Sequence, residues 1–244
     1  MDRIRNVLDY VRVYLRKLKK ERAALNFYGK FIDKDDLCFD IGANVGNKTE
    51  TFLRVAGRVV AVDPQPACVF ELTRRFRNDS RVVIVKEGVG AEPGEADMYI
   101  CEDINVLSTM SPKWIQKSRF ASNKRVSWNT KEKIPITTLD LLIARYGRPK
   151  FCKIDVEGYE LSVVQGLTQP LEYLSFEFMK EFLDDAEEVL TVLSRICPFK
   201  ANYSLYEHYD LVHFAKRWRS GSDTIAELRA MEDPKLWGDI YVRM

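Results

Sequence analysis

Leu37-Cys-Phe-Asp-Ile-Gly-Ala-Asn-Val-Gly46, followed by Arg58-Val-Val-Ala-Val-Asp63, is the stretch on which the reading of this chain turns. A short apolar strand runs into a glycine-punctuated turn, a helix over about 47–56 is expected next, and a second apolar strand ends on an acid. This is the layout of a nucleotide-type cofactor site, in which glycine lets the backbone approach a ligand and the acid grips a ribose. A dinucleotide fingerprint would require G-x-G-x-x-G. Here the glycines are Gly42 and Gly46 with Asn44 between them, so no helix N-terminus bare of side chains is offered to a pyrophosphate.

Outward from that stretch the pattern continues as alternating strands and helices. Strands are predicted at 37–41, 58–63 and 81–86, with helices near 47–56 and 66–77. Arg81-Val-Val-Ile-Val-Lys86 is a β-branched run of the kind buried on both faces of a parallel sheet. Ala91-Glu-Pro-Gly94 signals a turn into a short strand at 96–101. With Thr137 or Thr138 as cap, the stretch to Tyr146 reads as a helix that Gly147-Arg-Pro149 ends. A buried strand at 151–155, a helix at 159–167 and a strand at 174–178 follow, then a helix near 185–196 and strands near 202–206 and 239–243, around a mixed aromatic segment. Such alternation predicts an α/β fold, a mainly parallel seven-stranded sheet with helices on both faces, in one domain over 31–244.

A chain of 244 residues is long enough for one such domain and short for two. Charges interrupt every apolar run before the roughly 20 residues a membrane span needs, and Arg12, Arg16, Lys17 and Lys19 break any signal-peptide core. The cysteines (38, 68, 101, 152, 197) are scattered and never form C-x-x-C, which predicts reduced thiols and a cytoplasmic location. A net charge of +2 argues against a dedicated nucleic-acid binder. The charge is uneven, however. Residues 1–30 hold nine Lys/Arg against three acids, and Ile4, Val7, Leu8, Val11, Leu15 and Leu18 recur at helical spacing. A basic amphipathic helix is expected there, whose stripe packs on the domain or on a second subunit, or whose residues 1–22 touch an anionic membrane surface.

Two motifs point to a family. The pattern D-x-G-x-N-x-G from Asp40 to Gly46 resembles motif I of class I methyltransferases, whose cofactor, S-adenosylmethionine, has no phosphate to cradle. Lys153-Ile-Asp-Val-Glu-Gly-Tyr-Glu160 ends a strand at Asp155 and opens a helix after Gly158. In open parallel sheets ligands sit at such carboxyl ends, near the switch in strand order. Together with V-D-P-Q-P at 62–66, T-T-L-D at 137–140 and S-F-E-F at 175–178, this segment resembles the FkbM family of S-adenosylmethionine-dependent methyltransferases over about residues 37–180.

The resemblance implies a class I, Rossmann-like methyltransferase fold, S-adenosylmethionine as cofactor, and O-methylation of a sugar, glycan or natural-product hydroxyl. Carried onto this chain, the cofactor positions are Asp40, Gly42, Ala43, Asn44, Gly46 and Asp63, with Gly88 and Val89 beyond the third strand and Asp155 beside the methyl. Asp40 would face the cofactor's cationic amino-acid end, Asp63 would accept from both ribose hydroxyls, and the glycines would permit close approach. Family members often carry Glu where this chain has Asp63. The basic stretch 102–135 and the residues after about 180 match the family poorly.

A sulfonium methyl is already activated, so the protein must align the transfer and remove the acceptor's proton. Asp155 is the first candidate, as base or as orienting acceptor, and Glu177 at the end of the next strand would face the same mouth. These two acids are also the hard oxygen donors that would suit magnesium. Glu157 and Glu160 suit a helix N-terminus, where negative charge is favourable. His208 and His213, five residues apart amid Tyr203, Tyr206, Tyr209 and Phe214, read as members of an aromatic cluster. The stretch 102–135 lacks periodicity and reads as a lid over an anionic acceptor. Lys113, Lys117, Arg119, Lys124, Arg125, Lys131 and Lys133 would supply its charge, and Trp114, Phe120 and Trp128 its flat faces. Two rival functions remain. A nucleic-acid methyltransferase acting on base amines would carry an N/D-P-P-aromatic turn where this chain has Asp155-Val-Glu-Gly158. A non-catalytic binding module on the same fold is opposed by the intact Asp40, Gly42, Gly46, Asp63 and Asp155.

Overall fold

The computed structural model describes Leu15 and residues 18–123, 125–206, 209 and 218–244. In chain order its strands are β1 (Leu37–Ile41), β2 (Arg58–Val62), β3 (Val82–Val85), β4 (Gly88–Val89), β5 (Gly94–Ile100), β6 (Thr130–Thr137), β7 (Phe151–Ile154), β8 (Tyr173–Met179), β9 (Lys200–Leu205) and β10 (Trp237–Arg243). The helices are α1 (18–28), α2 (Asn47–Leu53), α3 (Pro66–Phe76), α4 (Pro112–Lys117), α5 (Leu139–Tyr146), α6 (Glu160–Gln165), α7 (Leu183–Ile196) and α8 (Gly221–Ala230).

Seven strands form the main sheet in the order β3-β2-β1-β7-β8-β10-β9. All neighbours from β3 to β8 pair in parallel, and β10 runs antiparallel between β8 and β9. Alternate residues of each central strand serve opposite faces, as a period of two requires. Cys38, Val59, Phe151 and Tyr241 pack with α1 and α2, whereas Phe39, Val60, Cys152 and Ile240 pack with α5, α6, α7 and α8. The expected class I layout, helices on both faces of a mainly parallel sheet, is therefore the observed one. Leu139, Leu142 and Ile143 show the helical counterpart, lining the buried face of a helix that starts at the Thr138 cap.

Two readings need correction. The stretch 102–135 is not free of regular structure: it contains α4, and from Thr130 it is strand β6, paired antiparallel with β5 in a second sheet ordered β4-β6-β5. Its alternation was hidden because Lys131 and Lys133 occupy one face and meet Asp97 across the ladder, so the outward half of the strand reads as a charged loop. Within the mixed aromatic segment lies α8, capped by the Ser220 hydroxyl on the Asp223 N–H. The basic N-terminal helix falls mostly outside the described residues. Its described end, α1, buries Ala24, Phe27 and Tyr28 in the core against the sheet. No helix among the described residues is long and apolar enough to cross a membrane, and all five cysteines are free.

Candidate active site

Strand order reverses between β1 and β7, and the site is built on the carboxyl ends of those strands with β2 and β8. The turn after β1 owes its shape to two glycines with φ of 81° and 84°. A side chain at Gly42 would overlap the carbonyl oxygen of Asp155, and one at Gly46 would enter the Phe76 ring and Leu72 of α3. Both glycines thus serve close protein packing, Gly42 setting the β1 turn against the end of β7 and Gly46 setting it against α3. Asn44 between them is itself left-handed, with φ of 49°. Its N–H donates to the Asp63 carboxylate at 2.8 Å.

Two lobes of one cleft flank this turn, with Gly42, Asn44, Val106 and Asp155 in both walls. The first, about 440 Å³, runs from Asp63 and Gln65 past Met98 and Met110 to Asp155, Glu157, Glu177 and Trp237. The second, about 590 Å³, is bounded by Asp40, Ala43, Lys48, Arg75 and Tyr209, with Lys20 and Ala24 of α1. Asp63 accepts from the backbone of Asn44 and of Gln65, the latter at 2.9 Å, and burial raises its pKa to about 6. Asp40 accepts from the Thr49 hydroxyl at 2.6 Å, and burial raises its proton affinity too.

A crowd of carboxylates occupies the β7 and β8 ends. Lys153, 2% exposed within β7, places its ammonium 2.7 Å from Asp155 and 3.5 Å from Asp239. Burial alone would lower the lysine's pKa, but these acids hold it well above the usual range. Beyond Asp155 the chain curls through Glu157 and Gly158, both with positive φ. Glu160 accepts from the N–H of Val156 and of Gly158 at 3.1 and 3.2 Å, and burial raises its pKa to about 7. Asp155, Glu157 and Glu177 bring carboxylate oxygens within 4.8 Å of one another, a spacing at which three hard donors can share a divalent cation. Burial and the Asp155 charge push the pKa of Glu157 and of Glu177 well above the ordinary glutamate range. Acids so perturbed in a cleft are candidates for proton transfer.

The inserted segment walls this cleft. Thr109 donates to the Glu157 carbonyl at 2.6 Å, and the Trp114 ring fills the space that a side chain at Gly158 would need. The methyltransferase FkbM domain profile matches residues 40–205, from Asp40 through β9. This chain belongs to the FkbM methyltransferase family. It is 24% identical over 186 residues to hexuronic acid methyltransferase AglP of Haloferax volcanii, covering 74% of this chain and 70% of that protein. Among solved structures it is similar to a methyltransferase FkbM from Methylobacillus flagellatus, with a TM-score of 0.47 and 16% identity. That alignment covers 85% of this chain but 43% of the other, so the chain spans less than half of that protein's length. An rRNA methylase from Streptococcus thermophilus gives a TM-score of 0.45 at 10% identity, covering 90% of this chain and 92% of that one.

Within this FkbM-family cleft the structure brings together Asp40, Gly42, Ala43, Asn44, Asp63, Asp155 and Glu177. Gly46 stands behind the turn. Gly88 and Val89 lie in neither lobe: both are buried in β4, where Ile134 and Ile136 fill the space beside Gly88. Of the expected stacking faces, Trp114 is buried, and Phe120 and Trp128 are half-buried against it. Trp114 is 1% exposed, stacked on Phe120 at 5.7 Å and edge-on to Trp128 at 5.8 Å. Lys113 pairs with Asp185, Arg119 with Glu181, and Lys131 and Lys133 with Asp97. Lys124, His208 and His213 lie outside the described residues. Sequence reasoning missed Lys153 and Trp237. A lysine inside the apolar run Phe151-Cys-Lys-Ile154 was the available signal for the first, since a buried ammonium demands acidic partners. Trp237 carried none.

Proposed function

We propose that this FkbM-family protein is an S-adenosylmethionine-dependent O-methyltransferase acting on a hydroxyl of a sugar or glycan. The observation that carries this reading is the continuity of one cleft from Asp63, through Gly42 and Asn44, to the carboxylates of Asp155, Glu157 and Glu177. The donor set fits the cofactor. A buried carboxylate at Asp63 suits a ribose diol, the acid at Asp40 suits a cationic amino group, and no phosphate-binding cations are required between them. When bound, the cofactor supplies a methyl group already activated on a positively charged sulfur.

The remaining work belongs to the chain. Lys153 anchors Asp155, whose carboxylate orients the acceptor hydroxyl by accepting from it. Glu177 takes the proton that the hydroxyl loses, and its raised pKa makes it a stronger proton acceptor than an ordinary glutamate. Carboxylates are natural acceptors for sugar hydroxyls, and a relative that is a hexuronic acid methyltransferase supports an acceptor of that class. Calorimetry with S-adenosylmethionine tests the cofactor assignment. Asp63→Ala should weaken binding by about 1.5–3 kcal/mol for each ribose hydrogen bond lost, and unchanged affinity would sink the assignment. Transfer of a labelled methyl into a cell extract, followed by mass spectrometry, identifies the acceptor. Repeating it after exhaustive chelation separates carboxylates that act as bases from carboxylates that hold a cation.

A further inference from the structure

Trp237 opens β10 at the strand tips that carry the carboxylates. In the antiparallel ladder of β10 on β8, Asp239 stands opposite Glu177 and Trp237 opposite Met179. Residues directly opposite share a face of the sheet, as do residues two apart on one strand. Trp237 therefore stands on the face of Glu177, nearer the tip. It packs against the buried cluster of Met179, Phe182, Leu107 and Trp114, and the Tyr206 ring meets it edge-on at 6.1 Å and an interplanar angle of 80°. Its backbone is fixed as well. The Tyr206 N–H donates to the Trp237 carbonyl at 3.1 Å, and a side chain at Gly238 would collide with the Ser204 carbonyl oxygen of β9. Trp237 is nevertheless only half-buried, and it lines the smaller lobe beside Asp155, Glu157 and Glu177. No other aromatic residue is among the described residues that line this lobe.

We infer that Trp237 is the platform on which a pyranose ring of the acceptor stacks, with Glu157 and Glu177 beside that ring's hydroxyl rim. A pyranose has an apolar face of axial C–H groups and an edge of hydroxyl donors. An aromatic ring set next to carboxylates is complementary to both. The inference rests on the sugar-acceptor reading above and adds to it a specificity-determining residue from outside the matched span 40–205. Because Tyr206 and the buried cluster hold the indole in place, stacking does not have to order the side chain on binding.

The test uses methyl β-glucopyranoside, methyl β-galactopyranoside and methyl α-mannopyranoside as probes. Each is titrated at millimolar concentration into the full chain loaded with S-adenosylhomocysteine, and binding is followed by saturation-transfer NMR. At least one should bind the wild-type protein, with saturation concentrated on the C–H protons of one ring face. Trp237→Leu should weaken that binding by about three- to tenfold, the worth of an aromatic contact. Trp237→Phe keeps a flat face and should stay within about twofold of wild type. Retained affinity for S-adenosylhomocysteine establishes that a variant is folded, and Trp237→Met replaces the Leu variant if that one does not fold. Undiminished pyranoside binding in the folded variant, or saturation spread evenly over the sugar, overturns the platform. Wild-type protein that binds none of the three pyranosides, whether or not it binds cytidine, overturns the sugar ring as the stacked group and leaves the cofactor assignment standing. Wild-type protein that does not bind S-adenosylhomocysteine overturns the cofactor reading, and this inference with it.

Discussion

At the strand tips, Asp155, Glu157 and Glu177 hold carboxylate oxygens within 4.8 Å of one another around a buried lysine. Across the inserted segment 102–135, by contrast, Lys113, Arg119, Lys131 and Lys133 each meet a protein carboxylate. The insertion's Trp114 also turns inward, into one buried cluster with Leu107, Val126, Met179 and Phe182, and Phe120 and Trp128 pack half-buried against it. These pairs and this cluster tie the insertion to the rest of the protein. At the tips the charges are crowded instead. Acids crowded and buried together raise one another's proton affinity and oppose folding, and such an arrangement is expected where chemistry requires it. Richness in basic and aromatic residues was the louder signal in the sequence, but the charge that the structure crowds together is that of the acids at the strand tips.

The largest expected effect tests the tips. Glu177→Gln should lower turnover by a factor of about 10² to 10⁴ while cofactor affinity is kept. A base must be ionised, so wild-type activity should rise with pH through the raised pKa of Glu177, giving an acidic limb well above the ordinary value of 4.5. The variant should lose that limb, and a limb that survives would move the base elsewhere in the cluster.

Next in size is the insertion's core. Trp114→Ala should destabilise the protein by about 3–5 kcal/mol in denaturant unfolding, with cofactor affinity of the folded fraction preserved. An acceptor-binding defect without loss of stability would instead restore the lid its ligand-facing aromatic.

A smaller effect separates the regions by pH. Glu160 holds its proton more tightly in the folded chain, with a pKa of about 7, than at its ordinary value of 4.5. Its contribution to stability is therefore full below pH 4.5 and is lost as pH rises through 7. Glu160→Gln keeps an oxygen to accept from Val156 and Gly158, and should flatten the decline of unfolding free energy across that window by about 2 kcal/mol. If the slope is unchanged, the carboxylate is ionised throughout and is held by the loop N–H groups alone.

The smallest effect is expected on the insertion's surface. Replacing Lys131 and Lys133 by Gln should leave KM for the acceptor, and its dependence on salt, within about twofold of wild type, since exposed ion pairs contribute little. A clear rise in KM that salt mimics in the wild type would reinstate electrostatic recognition by this segment.

How much was legible follows from the range of each interaction. Asp40, Asn44, Asp63 and Asp155 could be placed because each ends a strand or opens a turn, and the strands announce themselves by short apolar runs. Strand β6 was not legible, since Asp97, which neutralises Lys131 and Lys133, lies in another strand. Nor could the inward turn of Trp114 be read, because the cluster that buries it includes Met179 and Phe182 from beyond β7.

By itself the sequence determined the succession of strands and helices and the two glycine turns. These follow from period-two and period-3.6 patterning and from backbone freedom, which are properties of neighbouring residues. Only the tertiary structure decided which charges meet. Arg119 finds Glu181 62 positions away, Lys48 finds Tyr209 161 positions away, and Lys153 stands between Asp155 and Asp239. Coulomb attraction and desolvation depend on distances through space and on burial, and the sheet's strand order sets both.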